Sequence, residues 1–155
     1  MAENDIYNSK SKYETFKENI ENLLLKPENK TGTAKNSKYY CKNPKNIEYF
    51  KTLFNKFEIK DLSYVRRNRL ISMLKLVSYV VSKDFKVLDR TDMEEIMKYV
   101  NQVYNPKGKT YFVADLKYIW KILFPEMDEK DRPDETIVPY VVRNLKANMD
   151  KSREN

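Results

Sequence analysis

From Tyr13 to Leu123, residues 26–44 apart, most apolar residues return every three or four positions. That period commits the chain to α-helices with one buried side each. Residues 13–25, YETFKENIENLLL, place Tyr13, Phe16, Ile20 and Leu23/Leu24 together. A second helix runs from about Pro44, a good first-turn residue, to Phe57, with Ile47, Phe50, Leu53/Phe54 and Phe57 inward. A third starts near Asp61 or Ser63 and has the core line Leu70, Met73/Leu74, Val77 and Val80/Val81. The fourth opens at RTDMEEIMKYVNQVY, where Thr91 and Glu94 have capping-box spacing and Met93, Ile96/Met97, Val100 and Val103/Tyr104 form the stripe. NPKG (105–108) breaks it. The fifth, Lys109–Phe124, buries Phe112, Leu116, Ile119/Trp120 and Leu123 before Pro125 stops it. Two glycines in 155 residues argue against sheets with tight hairpins and against phosphate loops. The expectation is an all-α fold, a four- to five-helix bundle with an N-terminal helical appendage.

The polarity of the remaining segments suggests the organisation. Residues 1–42 would be a helix and a lysine-rich linker, since KPENKTGTAKNSKYYCKNP (26–44) is aperiodic. Residues 43–125 would be the bundle. Residues 126–155 would be an acidic loop, EMDEKDRPDE, followed by a connecting helix around Val138–Met149. Hydrophobic residues make up 41% of the chain, enough for a core. No apolar run approaches the ~18–20 residues of a membrane span. The start, MAENDIYNSK, lacks the apolar region of a secretory signal. Cys41 stands alone, which excludes an internal disulfide and fits a reducing cytoplasm.

Charge is where the pattern becomes informative. The net charge is +7, which favours an anionic partner. Leu62–Lys83 holds no Asp or Glu but carries Arg66, Arg67, Arg69, Lys75 and Lys83. With Leu70 at the centre of the buried side, Asn68, Ser72, Lys75 and Tyr79 fall opposite, an acid-free stripe. Centring the fifth helix on Leu116 gives a second stripe of Thr110, Ala114, Lys117 and Lys121, with Tyr111 and Tyr118 beside it. Lys107 and Lys109 sit at its start, where free backbone N–H groups favour anions. Solvated helix faces usually mix Glu with Lys, because i,i+4 pairs help the helix. Two faces without acids point to a polyanion whose phosphates meet Lys, Arg and small polar side chains. The interface set is therefore Arg66, Arg67, Lys75, Lys107, Lys109, Thr110, Lys117 and Lys121. Arg66 also lies near the core line, where it could cap or form an ion pair. The alternative is a helical protein-interaction domain whose basic face takes an acidic partner.

Catalytic chemistry is not apparent. There is no histidine, so the commonest general base and metal ligand are missing. One cysteine makes no zinc site, and DEKDRPDE lacks the glycine and spacing of a calcium loop. No metal, cofactor or catalytic residue is expected, and the chain reads as non-enzymatic by itself.

Three segments in order, NPKNIEYFKTLFNKFEIKDLSYVRRNRLISMLKLVSYVV, LDRTDMEEIMKYVNQVYNPKGKTYFVADLKYIWKILF and RPDETIVPYVVRNLKANMDK, resemble the N-terminal half of archaeal tyrosine recombinases of the phage-integrase family. The resemblance covers about residues 43–150 and includes a Leu-Lys-x-x-Trp helix at Leu116–Trp120. Gly108, between Pro106 and Thr110, departs from the pattern by lengthening a turn. The resemblance implies a SAM-like core-binding domain that grips duplex DNA at a recombination site, with other recombinase protomers as partners. The family's nucleophilic Tyr and its Arg, Lys and His catalytic residues lie in the other half. This chain ends about where that half would begin, so none of its tyrosines is assigned as nucleophile.

Overall fold

The computed structural model of the chain describes residues 8–29 and 38–146. The fold is all-α, with five α-helices and one two-stranded ribbon among these residues. The chain divides into two compact units, Met1–Phe85 and Lys86–Asn155. That boundary falls inside the stretch expected to be one bundle, and the segment expected as an appendage belongs to the first unit.

The first unit holds α1 (Ser9–Glu18), α2 (Ile47–Lys60) and α3 (Tyr64–Val80). The first helix begins four residues earlier than its apolar stripe and gives way to a 3-10 turn, Ile20–Leu24. Tyr13, Ile20 and Leu23 are buried. Tyr13 packs on Phe54, Phe57 and Tyr64, and Phe16 on Phe50 and Phe54, with ring centroids 5.6–6.4 Å apart. Such aromatic pairs add about 0.5–1.5 kcal/mol beyond their area. Lys17 reaches Glu58 at 3.0 Å, at the far end of α2. The 3-10 turn Pro44–Asn46 leads into α2, whose Ile47, Phe50, Leu53, Phe54 and Phe57 are all buried as the spacing predicts.

The start of α2 is fastened to the chain that follows α3. Asn46, fully buried, donates from Nδ2 to the Lys83 carbonyl at 3.0 Å and accepts the Phe85 N–H at 2.8 Å. The Tyr49 hydroxyl donates to Asp84 at 2.6 Å, and the Tyr49 ring stacks on Phe85. These bonds satisfy backbone groups that burial would otherwise leave unpaired.

The segment expected as linker is in part structural. The Cys41 N–H donates to the Leu23 carbonyl at 2.7 Å, and the Lys42 N–H donates to the Ser78 carbonyl at 3.1 Å. Cys41 is buried, and burial pushes its thiol up to about 11.

The second unit holds α4 (Arg90–Val103), α5 (Pro106–Leu123) and a ribbon of β1 (Glu126–Met127) and β2 (Pro133–Asp134). The cap of α4 is Asp89 rather than Thr91. Its side chain accepts the Asp92 N–H at 2.9 Å, and the Asp92 carboxylate accepts the Asp89 N–H at 3.0 Å. The reciprocal pair lies two residues before Thr91 and Glu94. Met93, Ile96, Met97 and Val100 are buried as expected, whereas Val103 is exposed.

The expected acidic loop is a short antiparallel ribbon, pairing Glu126 with Asp134 and Met127 with Pro133. Asp128 holds its turn by accepting the N–H groups of Lys130 and Arg132 and the Arg132 Nε. Those bonds lower the Asp128 pKa, the Arg132 backbone N–H most. Residues 138–146 form turns instead of the expected helix. They fold back on α4: the Arg90 guanidinium donates to the Arg143 carbonyl, and Arg143 reaches Glu126 at 2.8 Å. Val142 and Leu145 are buried. The rest of the expected C-terminal helix lies outside the described residues.

Candidate nucleic-acid interface

Helix α5 begins earlier than its hydrophobic stripe because NPKG is a helix start. The Asn105 side chain caps it, accepting the Gly108 N–H at 2.7 Å, and Pro106 occupies the first turn. Gly108 is therefore the third helical residue and lengthens no turn. A Cβ there would lie 3.3 Å from Asn105 Oδ1 and 3.5 Å from Tyr104 Cβ, so the bare α-carbon lets the cap close. The Lys109 N–H is taken by the Asn105 carbonyl at 2.9 Å, and Pro106 has no N–H to give. The cap thus consumes donors that the sequence offered to an anion.

Leu123, expected inside, is half-exposed, and the other side chains keep their expected side. Phe112, Val113, Leu116, Ile119, Trp120 and Ile122 are buried. Lys107, Thr110, Tyr111 and Ala114 are exposed, and Lys109, Lys117, Tyr118 and Lys121 are half-exposed. Lys107, Thr110/Tyr111, Ala114, Lys117/Tyr118 and Lys121 succeed one another by three or four residues and make one continuous stripe. Fourteen steps at 1.5 Å give it a length of about 21 Å. The one acid in α5, Asp115, is 5% exposed. The Thr110 hydroxyl donates back to the Pro106 carbonyl at 3.1 Å.

Helix α3 differs from its expected geometry. Arg67 is only 4% exposed. Its Nε donates to the Leu62 carbonyl at 2.8 Å, and its guanidinium lies 5.0 Å from the Tyr13 ring centroid and 4.5 Å from that of Tyr64. Arg67 is a structural cation and not a surface residue, and the core-line role weighed for Arg66 belongs to its neighbour. Arg66 is half-exposed, with its backbone N–H held by the Ser63 cap.

The stripe expected to be open on α3 is mostly covered. Asn68 donates to the Ser9 carbonyl at 2.9 Å, and the Lys75 ammonium sits 5.6 Å from the Phe16 ring. Tyr79 packs against Tyr39 and Tyr40. Of the four residues only Ser72 is exposed. Ile71, Leu76 and Ser78 are buried on other sides, so α3 is covered on more than one side, with Val65, Arg69 and Ser72 left exposed. Enclosure accounts for the absence of carboxylates at the covered positions of Leu62–Lys83, where an unpaired carboxylate is costly, but not at the exposed Val65, Arg69 and Ser72.

The sequence reading missed a cluster built on the same helix. Tyr39 and Tyr40 meet Tyr79 with centroids 5.2 and 5.7 Å apart. The Lys42 ammonium lies 4.9 Å from the Tyr79 centroid and that of Lys38 lies 5.4 Å from Tyr39. The available signal was the interleaving of lysine and tyrosine in KYYCK.

Among the described residues no group of three or more His, Cys, Asp or Glu side chains could hold a metal ion. No described helix is long and apolar enough to cross a membrane. No protein-family model, curated protein or solved structure matches the chain.

Proposed function

We propose that this chain is a duplex-DNA-binding module of an integrase-like tyrosine recombinase, and that α5 carries its contact with DNA. The observation that supports this is the continuous stripe from Lys107 to Lys121, which offers lysines at both ends and keeps Asp115 inside. Lys107, Lys109, Lys117 and Lys121 meet phosphates, while Thr110, Tyr111 and Ala114 are the polar and small groups between them. Arg67 is withdrawn from the contact, and Lys75 sits against Phe16. A net charge of +7 adds a sequence-independent attraction. The setting is cytoplasmic, and other protomers of the recombinase are the protein partners.

The test is the salt dependence of binding to a labelled random duplex. Four neutralised phosphates give a slope of log K against log salt of about −3.6. Binding indifferent to salt, or absent at micromolar protein in low salt, overturns the reading. The chain by itself forms no covalent adduct with DNA. A nicked suicide substrate that traps a phosphotyrosine would refute that part.

A further inference from the structure

The cluster of Tyr39, Tyr40 and Tyr79 lies in the first unit and is independent of α5. All three rings are half-exposed. They converge from two places in the sequence because residues 41–43 are pinned: the Cys41 N–H to Leu23, the Lys42 N–H to Ser78, and the Asn43 side chain to the Ser82 carbonyl at 3.2 Å. The cation partners come from the same short segment. Lys38 and Lys42 place ammonium groups 5.4 and 4.9 Å from the Tyr39 and Tyr79 centroids. Neither contributing stretch, Lys38–Ile47 or Leu62–Lys83, contains a carboxylate.

We propose that this tyrosine–lysine cluster is a stacking site for unpaired bases of a single-stranded nucleic acid. The chemistry fits both halves of such a ligand. A tyrosine face accepts any base, because every base has a π-surface, and lysines beside it meet the phosphates that link successive bases. An ammonium resting on a ring is held weakly where both are solvated, so it can pass to a phosphate while a base takes the ring. A purely acidic peptide would use the lysines and leave the rings idle. A lipid surface would need an apolar wedge, and this cluster presents phenols and ammonium groups.

The experiment uses the full chain and a thymidine strand of about twelve nucleotides with one central 2-aminopurine, whose fluorescence is quenched on stacking. Binding should quench it. Tyr39→Leu with Tyr40→Leu should lower affinity by about five- to a hundredfold, and Tyr39→Phe with Tyr40→Phe should keep it, since the rings remain. Lys117→Glu with Lys121→Glu on α5 should weaken duplex binding far more than the quench, which separates this site from the duplex reading. No quench at saturating protein overturns the proposal, as does a folded leucine pair that binds like the parent. Polyglutamate displacing the strand at equal charge concentration also overturns it, in favour of an acidic protein partner. If the leucine pair melts below the assay temperature, the quench by the unaltered chain and by the phenylalanine pair decides.

Discussion

The guanidinium of Arg67 lies 4.5 Å from the Tyr64 ring, three residues earlier on the same helix, while its Nε holds the Leu62 carbonyl just before that helix begins. One side chain thereby closes the start of α3 and fills the space between it and Tyr13 of α1. Burial raises the Tyr13 phenol above its ordinary pKa, opposed by the charge of Arg67 beside it.

Replacing Arg67 should therefore damage folding and not DNA binding. Arg67→Ala leaves the Leu62 carbonyl without its partner and removes two cation–π contacts, at a cost of roughly 2–4 kcal/mol. Arg67→Lys should recover only part of this, because an ammonium lacks the planar fork. Thermal melting ranks the variants. An Arg67→Ala chain that melts like the parent contradicts the structural role.

Charge reversal on α5 should do the opposite. Lys117→Glu with Lys121→Glu should change stability by no more than about 0.5 kcal/mol per site, as for ordinary surface changes. Duplex affinity should fall steeply, because two attractions become repulsions. Trp120→Ala, on the buried side, should cost about 3–5 kcal/mol. Fluorescence anisotropy on a labelled duplex, paired with melting curves, separates the two effects. A reversed α5 that binds as well as the parent places the contact elsewhere.

The acidic ribbon is a poor neutral control for that experiment. Glu126 accepts the Tyr140 N–H at 2.7 Å and pairs with Arg143, and Asp128 holds the turn. Glu126→Lys should lower the melting temperature by several degrees, whereas Glu129→Lys, at an exposed position, should not. Equal melting of the two variants would show that the bonds of Glu126 contribute nothing.

The cap of α4 gives a sharper comparison. Asp89→Ala should cost about 0.5–2 kcal/mol, the usual range for loss of an N-cap, and Thr91→Ala should cost little. Denaturant midpoints read the difference. If Thr91→Ala is the more damaging, the reciprocal pair of Asp89 and Asp92 is not what holds the helix start.

The Cys41 thiol, pushed up to about 11, stays neutral in the folded chain well past the pH at which an unfolded thiol ionises. Its folded pKa is the higher one, so stability is intact below the unfolded value and declines as pH rises from about 8.5 toward 11. Cys41→Ala should flatten that decline. Reaction with a disulfide reagent at pH 8 should be slow in the folded chain and fast in denaturant.

Helical periodicity made most of the architecture legible. Ile47 through Phe57, Met93 through Val100 and Phe112 through Trp120 are buried on the sides their spacing gives. On α3 the expected core line Leu70, Met73, Leu74, Val77 and Val81 is buried, but the opposite stripe is covered, because an angular projection assumes one buried side and cannot foresee α1 and residues 38–42 arriving on another. The same limit explains the site. The α5 side chains lie where projection put them, while Arg67 lies inside because a guanidinium over two rings looks, in sequence, like any surface arginine. In sequence Pro106 and Gly108 look like breakers, since their meaning depends on whether Asn105 turns its side chain back to cap.

Enclosure of α3 sets how freely this chain can vary. On the outer stripe of α5 a substitution meets solvent or a ligand, so change there alters recognition before it alters folding. On the buried sides of α3 an enlargement meets another side chain, and a truncation opens a void. Among divergent copies of this sequence, α3 should be the segment whose side-chain volumes are most nearly constant, and α5 the one whose outer residues record changes of binding target.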